Sequence, residues 1–133
     1  MRTIKFRGKR PNDGEWIFGD LLTSSDECCH ISQVTILEDI STKQFRELIT
    51  EVISNTVGQF TGLLDKSGKE IYECDVLNNG QRNYCVCWNE SRGAWWLKSK
   101  DLIYTQPLGF LSTELFIIGS THDNPELLKG GKE

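Results

Sequence analysis

VGQFTGLLDKSGKEIYECDV, Val57 to Val76, is the stretch whose reading decides the fold. Two apolar, β-prone runs, Val57 to Leu64 and Glu70 to Leu77, flank the turn formers Asp65, Lys66, Ser67 and Gly68. A glycine in the last turn position is free to take positive φ, so the segment predicts a hairpin. It lacks the Asp-x-Asp-x-Asp-Gly series of an EF-hand loop and the Gly-x4-Gly-Lys-Ser/Thr series of a phosphate loop.

The same pattern extends on both sides. Thr3 to Arg7 alternates polar and apolar residues, Pro11-Asn12-Asp13-Gly14 is a turn, and Trp16 to Leu22 reads as the return strand. Residues 28 to 38 are β-prone around Ile31, Val34 and Ile36. Asn83 to Trp88 and Ala94 to Lys98 form a further hairpin, and Leu102 to Tyr104 and Leu115 to Gly119 are short strands. One helix is predicted near 42–53. Ser41 and Gln44 have capping-box spacing, and Phe45, Leu48, Ile49, Val52 and Ile53 fall on one face of a 3.6-residue period. The β-branched Val52 and Ile53 leave its last turn open to an extended conformation. Asn124-Pro125 starts a short C-terminal helical turn.

At 133 residues the chain fits one domain, 1–133, or two small β modules of about 1–55 and 56–128. The net charge of −4 argues against a general nucleic-acid binder, which usually carries a basic excess. The basic cluster Arg2, Lys5, Arg7, Lys9 and Arg10 alternates with Ile4 and Phe6 and reads as the wet face of an edge strand. Met1 leads directly into this charged stretch, without the apolar core of a secretory leader. Runs such as Leu115 to Ile118 are too short to span a bilayer. Five cysteines suit reduced thiols better than a disulfide framework. The expected location is the cytoplasm.

No catalytic constellation stands out. Cys28-Cys29-His30 and Cys85-x-Cys87 lack the Cys-x2-4-Cys spacing of zinc knuckles, and small thiols packed in a β core explain Cys85 and Cys87 at least as well. His30 and His122 lack a recognisable nucleophile–base arrangement around them, and His122 reads as a surface residue. Glu73 and Asp75 share a strand face that Glu70 does not, which leaves no paired carboxylates to name. The expectation is a non-enzymatic protein without metal or cofactor. Trp88, Trp95, Trp96 and Tyr104 are the candidate interaction surface. Consecutive residues of a strand face opposite ways, so one of Trp95 and Trp96 belongs to the core and the other to a surface.

The opening stretch also resembles the signature of the YopX family of phage and prophage proteins, TVGQ-aromatic-TG-L-x-D-x-x-G-x-x-I-Y-E-G-D-aliphatic. IKFRGKR with WIFGDL, residues 4–10 and 16–21, is similar to the family's N-terminal hairpin, and IGSTHDNPELL, residues 118–128, to its C-terminal end. Cys74 stands where the pattern commonly has Gly. The resemblance implies a mainly β fold, a β-rich α+β arrangement of hairpins with a small SH3-like or barrel-like element, in a protein of phage origin. It implies no particular activity. It marks Gly58, Gln59, Thr61, Gly62, Asp65, Gly68, Glu70, Ile71, Tyr72, Asp75, Asn124 and Pro125 as family-motif residues with a structural role. The resulting expectation is an interaction protein that forms homo-oligomers in the host cytoplasm, with a phage or host protein as its other partner. The alternative, less favoured, is a small barrel binding nucleic acid in phage gene expression or replication, with exposed aromatics stacking on bases.

Overall fold

The structure is a computed structural model that describes residues 2–33, 48–101 and 103–128, with the Phe110 side chain left aside. It is β-rich. The chain divides into two compact units, Met1–Gln59 and Phe60–Glu133.

In the first unit, β1 (Phe6–Lys9) and β2 (Trp16–Thr23) form the predicted hairpin, with Phe6 opposite Gly19 and Lys9 opposite Trp16. Asp13 closes its turn by accepting from the Glu15 N–H at 3.1 Å and pairing with the Arg10 guanidinium. β3 (Cys29–Ser32) adds to β2, and β4 (Ile49–Val52) adds to β3. Gly58 and Gln59, the first residues of β5 (Gly58–Leu64), pair with β1 on its other side. β1 is therefore an inner strand, and the edge-strand reading of the basic cluster is corrected. Arg7 is buried, its guanidinium 4.1 Å from the centre of the Trp16 ring. Alternation alone could not tell an edge from an interior strand, because a guanidinium over an aromatic ring gains a cation–π contact that favours its burial.

The helix expected near 42–53 is also corrected where the structure describes it. Residues 49–52 are β4, paired from Ile49–Ser32 to Val52–Cys29, and a 3-10 turn follows at Ser54–Thr56. Residues 34–47, which hold the rest of that helix and the strand positions Val34 and Ile36, lie outside the described residues. The periodic stripe places Val52 and Ile53 together, whereas the extended conformation left open for these β-branched residues is the one they adopt. Val52 enters the core with Ile17 and Ile31, and Ile53 is exposed. β-Branched residues beside an open strand edge take the ladder, which satisfies their backbone groups without the χ1 restriction of a helix. Among the described residues the helical pieces are short 3-10 turns, including the expected C-terminal one at Pro125–Leu128.

In the second unit, the rest of β5 pairs with β6 (Glu70–Tyr72) across a bulge, where Gly62 has φ 87°. A five-stranded antiparallel sheet follows, in the order β10-β9-β8-β7-β11. Its strands are β7 (Asp75–Asn78), β8 (Asn83–Asn89), β9 (Ala94–Lys98), β10 (Tyr104–Pro107) and β11 (Phe116–Ser120). β10 and β11 end the sheet on opposite sides, so it is open and not the barrel that was expected. The reason lies between them. The 3-10 turns Leu108–Phe110 and Ser112–Glu114 bring Leu108, Leu111 and Leu115 onto the sheet face, against Ile71, Leu77, Tyr84, Val86 and Leu97. The core is covered by these turns, and closure would displace them.

The strand expected to run unbroken from Glu70 to Leu77 is interrupted. Cys74, with φ 71°, separates β6 from β7, and the Asp75 carboxylate accepts from the Tyr72 N–H at 2.7 Å. A left-handed turn is therefore built at the position where the related signature has glycine. An L-residue there costs about 1 kcal/mol relative to glycine. Cys74→Gly is accordingly expected to be more stable than Cys74→Ala by about 1 kcal/mol, although both lose the thiol. Urea unfolding of the two variants checks this. A Gly variant less stable than the Ala variant would contradict it.

Candidate functional site

Two of the motif residues, Asp65 and Gly68, build a turn. Asp65 is 4 % exposed. One of its carboxylate oxygens accepts from the Ser67 N–H at 2.9 Å, the Ser67 hydroxyl at 2.8 Å and the Lys69 N–H at 2.9 Å. The other accepts from the Ile117 N–H of β11 at 3.0 Å. Burial by itself would raise the Asp65 pKa. The donors from Ile117, Lys69 and Ser67 together outweigh it and hold the carboxyl below the usual aspartate value. Gly68, with φ 88°, completes the turn through its N–H to the Asp65 carbonyl. Thr61 donates from its hydroxyl to the Ile71 carbonyl at 2.8 Å, and the Ile71 and Tyr72 side chains are buried. Gly58 and Gln59 pair with Arg7 and Phe6, while Glu70 accepts from the Tyr72 hydroxyl at 3.3 Å. Asn124 accepts from the Ser120 N–H at 3.4 Å, beside Gly119. A Cβ at Gly119 would run into the Asn124 side chain, and Pro125 opens the final 3-10 turn. These contacts join backbone segments to one another.

The aromatic candidates divide into two pairs. Trp88 opposes Trp95 and Cys87 opposes Trp96 across β8 and β9. Trp95 packs partly against the core, with its ring 5.0 Å from that of Trp88 in an edge-on arrangement. Trp96 lies on the other face, half-buried, 6.1 Å from the Tyr104 ring. Arg92 stands 5.7 Å from the centre of the Trp96 ring, and the Lys98 ammonium 4.4 Å from that of Tyr104. The Tyr104 hydroxyl donates to the Trp88 carbonyl at 3.1 Å. The four rings thus do not make one flat patch.

The third grouping joins residues that are distant in sequence. Cys85 and Cys87 share a face of β8 with their sulfurs 3.6 Å apart, and the left-handed turn sets Cys74 beside Val86, the residue between them. Backbone bonds hold the turn there, Cys74 N–H to the Val86 carbonyl at 2.9 Å and Thr121 N–H to the Cys74 carbonyl at 2.9 Å. The Cys85 hydrogen bond, opposed by burial and aided by Thr121 and the nearby His122, lowers the Cys74 pKa to about 6. Cys85, between two thiols and buried, is pushed up. Cys87 is held down, first by Cys85 and further by Lys98 against the opposing effect of burial. The sequence reading set Cys85 beside Cys87 but missed Cys74. The one local signal was a cysteine in place of the glycine of the signature. Cys28 and Cys29 lie in the first unit, where Asp26 raises the Cys28 pKa. Among the described residues no group of three or more His, Cys, Asp or Glu side chains is arranged to hold a metal ion. Nor is any helix among them long and apolar enough to cross a membrane.

A family model described as YopX protein matches residues 5–129. Among solved structures, protein EF1440 from Enterococcus faecalis superposes with a TM-score of 0.55 at 22 % identity, covering 97 % of this chain and 100 % of its own. That similarity is one of fold. No curated protein matches.

Proposed function

The chain belongs to the YopX protein family, and on that premise we propose that it is a phage- or prophage-derived interaction protein that self-associates in the cytoplasm of a bacterial host and acts by binding rather than catalysis. The observation that carries this reading is the β10 side of the five-stranded sheet. β10 is a terminal strand, and on or beside it Ile103 is 61 % exposed and Tyr104 37 %. A terminal strand has backbone donors and acceptors for a further strand, and apolar side chains next to it add buried area on docking. A second copy of the chain offers the same edge, which suits a two-fold contact.

Sedimentation across a concentration series tests it. Self-association is expected, and a strict monomer at high concentration would remove this part of the proposal. Trp96→Ala is expected to leave the fold intact at a cost of about 1 kcal/mol or less and to weaken association, since aromatic anchors dominate many interfaces. Trp95→Ala, which opens space at the core, should cost about 2–4 kcal/mol. Equal, large losses of stability in both would show that both rings serve packing alone.

A second reading draws on the cations beside the rings. Arg92 stands over Trp96 and Lys98 over Tyr104, and a separate depression of about 450 Å³ is lined by Arg82, Tyr84, Ser99, Lys100 and Ile103 together with the acidic Asp101. Interleaved aromatic and basic side chains suit single-stranded nucleic acid. Binding that weakens steeply with salt would favour it, and no binding of single- or double-stranded DNA or RNA at low salt would end it.

A further inference from the structure

We propose that Cys74, Cys85 and Cys87 form a redox-sensitive site at which Cys74 reacts with a hydroperoxide and Cys85 then closes a disulfide to it. The proposal is independent of the interaction surface above. It concerns one stoichiometric modification per chain, reset by a thiol reductant.

The geometry selects both roles. Cys85 and Cys87 are neighbours on one face of one extended strand. Their β-carbons project in parallel, and a disulfide needs β-carbons about 3.5–4.5 Å apart, so that pair is poorly placed to bond despite the 3.6 Å between sulfurs. Cys74 comes from a different segment. Its backbone N–H is bound to the carbonyl of Val86, the residue between the two strand cysteines, and Cys85 is the group that acts most strongly on its thiol. Cys74 is half-buried and so partly open to a small oxidant, whereas Cys85 is 7 % exposed. The charged and titratable groups around them are Glu73, His122 and Lys98. His122 and the hydrogen bonds from Cys85 and Thr121 favour the Cys74 thiolate, the form that attacks peroxide, while Glu73 opposes it.

The chemistry balances without a further reactant. The Cys74 thiolate attacks one oxygen of the hydroperoxide. A sulfur–oxygen bond forms, the oxygen–oxygen bond breaks, and the leaving alkoxide or hydroxide takes up the proton that Cys74 had released. Cys74 is now a neutral sulfenic acid. The negative charge that kept Cys85 protonated on that side is gone, so Cys85 can lose its proton and attack the Cys74 sulfur. The disulfide forms, the sulfur–oxygen bond breaks, and hydroxide leaves as water with the Cys85 proton. Two thiols are oxidised and one peroxide is reduced.

The test treats the fully reduced chain with one equivalent of hydrogen peroxide and follows intact mass and cysteine-resolved peptide maps. The expected product is lighter by about 2 Da, carries a Cys74–Cys85 link, and returns to the starting mass with dithiothreitol. Cys74→Ser should slow the oxidation by about tenfold or more, and Cys28→Ser should not change it. Cys85→Ala should stop at a Cys74 sulfenic acid, heavier by about 16 Da and trapped by dimedone. Should that variant fail to fold, the order of alkylation of the unmodified chain by limiting iodoacetamide at neutral pH serves instead, with Cys74 expected to react first. Oxidation or alkylation that begins at Cys28 or Cys29, or a link between Cys85 and Cys87, would overturn the proposal.

Discussion

Asp65→Ala is expected to lower the unfolding free energy by about 3–5 kcal/mol, because it removes a buried carboxylate that accepts four hydrogen bonds, one of them from β11. The carboxylate receives the Ser67, Lys69 and Ile117 N–H groups and the Ser67 hydroxyl. Three of these close the β5–β6 turn, and the fourth ties that turn to β11 within the second unit. Asp65→Asn separates charge from geometry. The amide oxygen can keep the turn, but its NH2 must then face the Ile117 N–H, donor against donor, so an intermediate loss is expected. The same group gives a pH dependence. Its pKa is below the usual aspartate value in the folded chain. Its stabilising contribution is therefore complete above the unfolded-state pKa of about 3.9 and is lost as pH falls through the folded value. Urea midpoints measured from pH 7 down to acid should fall less for Asp65→Asn than for the parent over that window. Parallel curves would show that Asp65 is not the carboxylate responsible.

Gly19→Ala should cost about 3 kcal/mol or more, since the new methyl meets backbone rather than a yielding side chain. A Cβ at Gly19 would overlap the Ser32 carbonyl oxygen and come within 3.2 Å of Ile31 Cγ2. Ser32 and Ile31 belong to β3, which pairs with this part of β2, and Ile31 is fully buried. To admit the methyl, β2 and β3 must separate, and the Ile17–Ile31–Val52 core opens with them. Gly14→Ala is the control. Gly14 has φ 71° and nothing near its would-be Cβ, so the substitution meets only the left-handed backbone cost of about 1 kcal/mol. Denaturant unfolding of the two variants should differ by about 2 kcal/mol or more. Equal effects would show that the close approach at Gly19 is relaxed elsewhere at little cost.

Local order in the sequence and non-local pairing in the structure divide this protein between them. The hairpins around the turn formers at 11–14 and 65–68, the pairing of 83–88 with 94–98, and the C-terminal Asn-Pro start were legible because each is settled by a few adjacent residues, although the first strand runs Phe6–Lys9 and not Thr3–Arg7. Asp65, Gly68 and Tyr72 were likewise visible as a motif, and its signature placed the chain in its family. What the tertiary structure alone decided was which strand each of these would meet. Residues 49–52 carry a helical stripe, yet β3 offered a ladder and they took it. Arg7 alternates like an edge residue, but it lies on Trp16 in a strand paired on both sides. Trp88 with Trp95, and Trp96 with Tyr104, are set by the register of β8, β9 and β10. Cys74 joins Cys85 and Cys87 because a left-handed turn and its hydrogen bonds to Val86 and Thr121 swing it there. Side-chain period and turn preference are properties of short stretches of chain. The partner across a ladder is chosen by the free energy of the whole packed unit, and no short stretch contains that information.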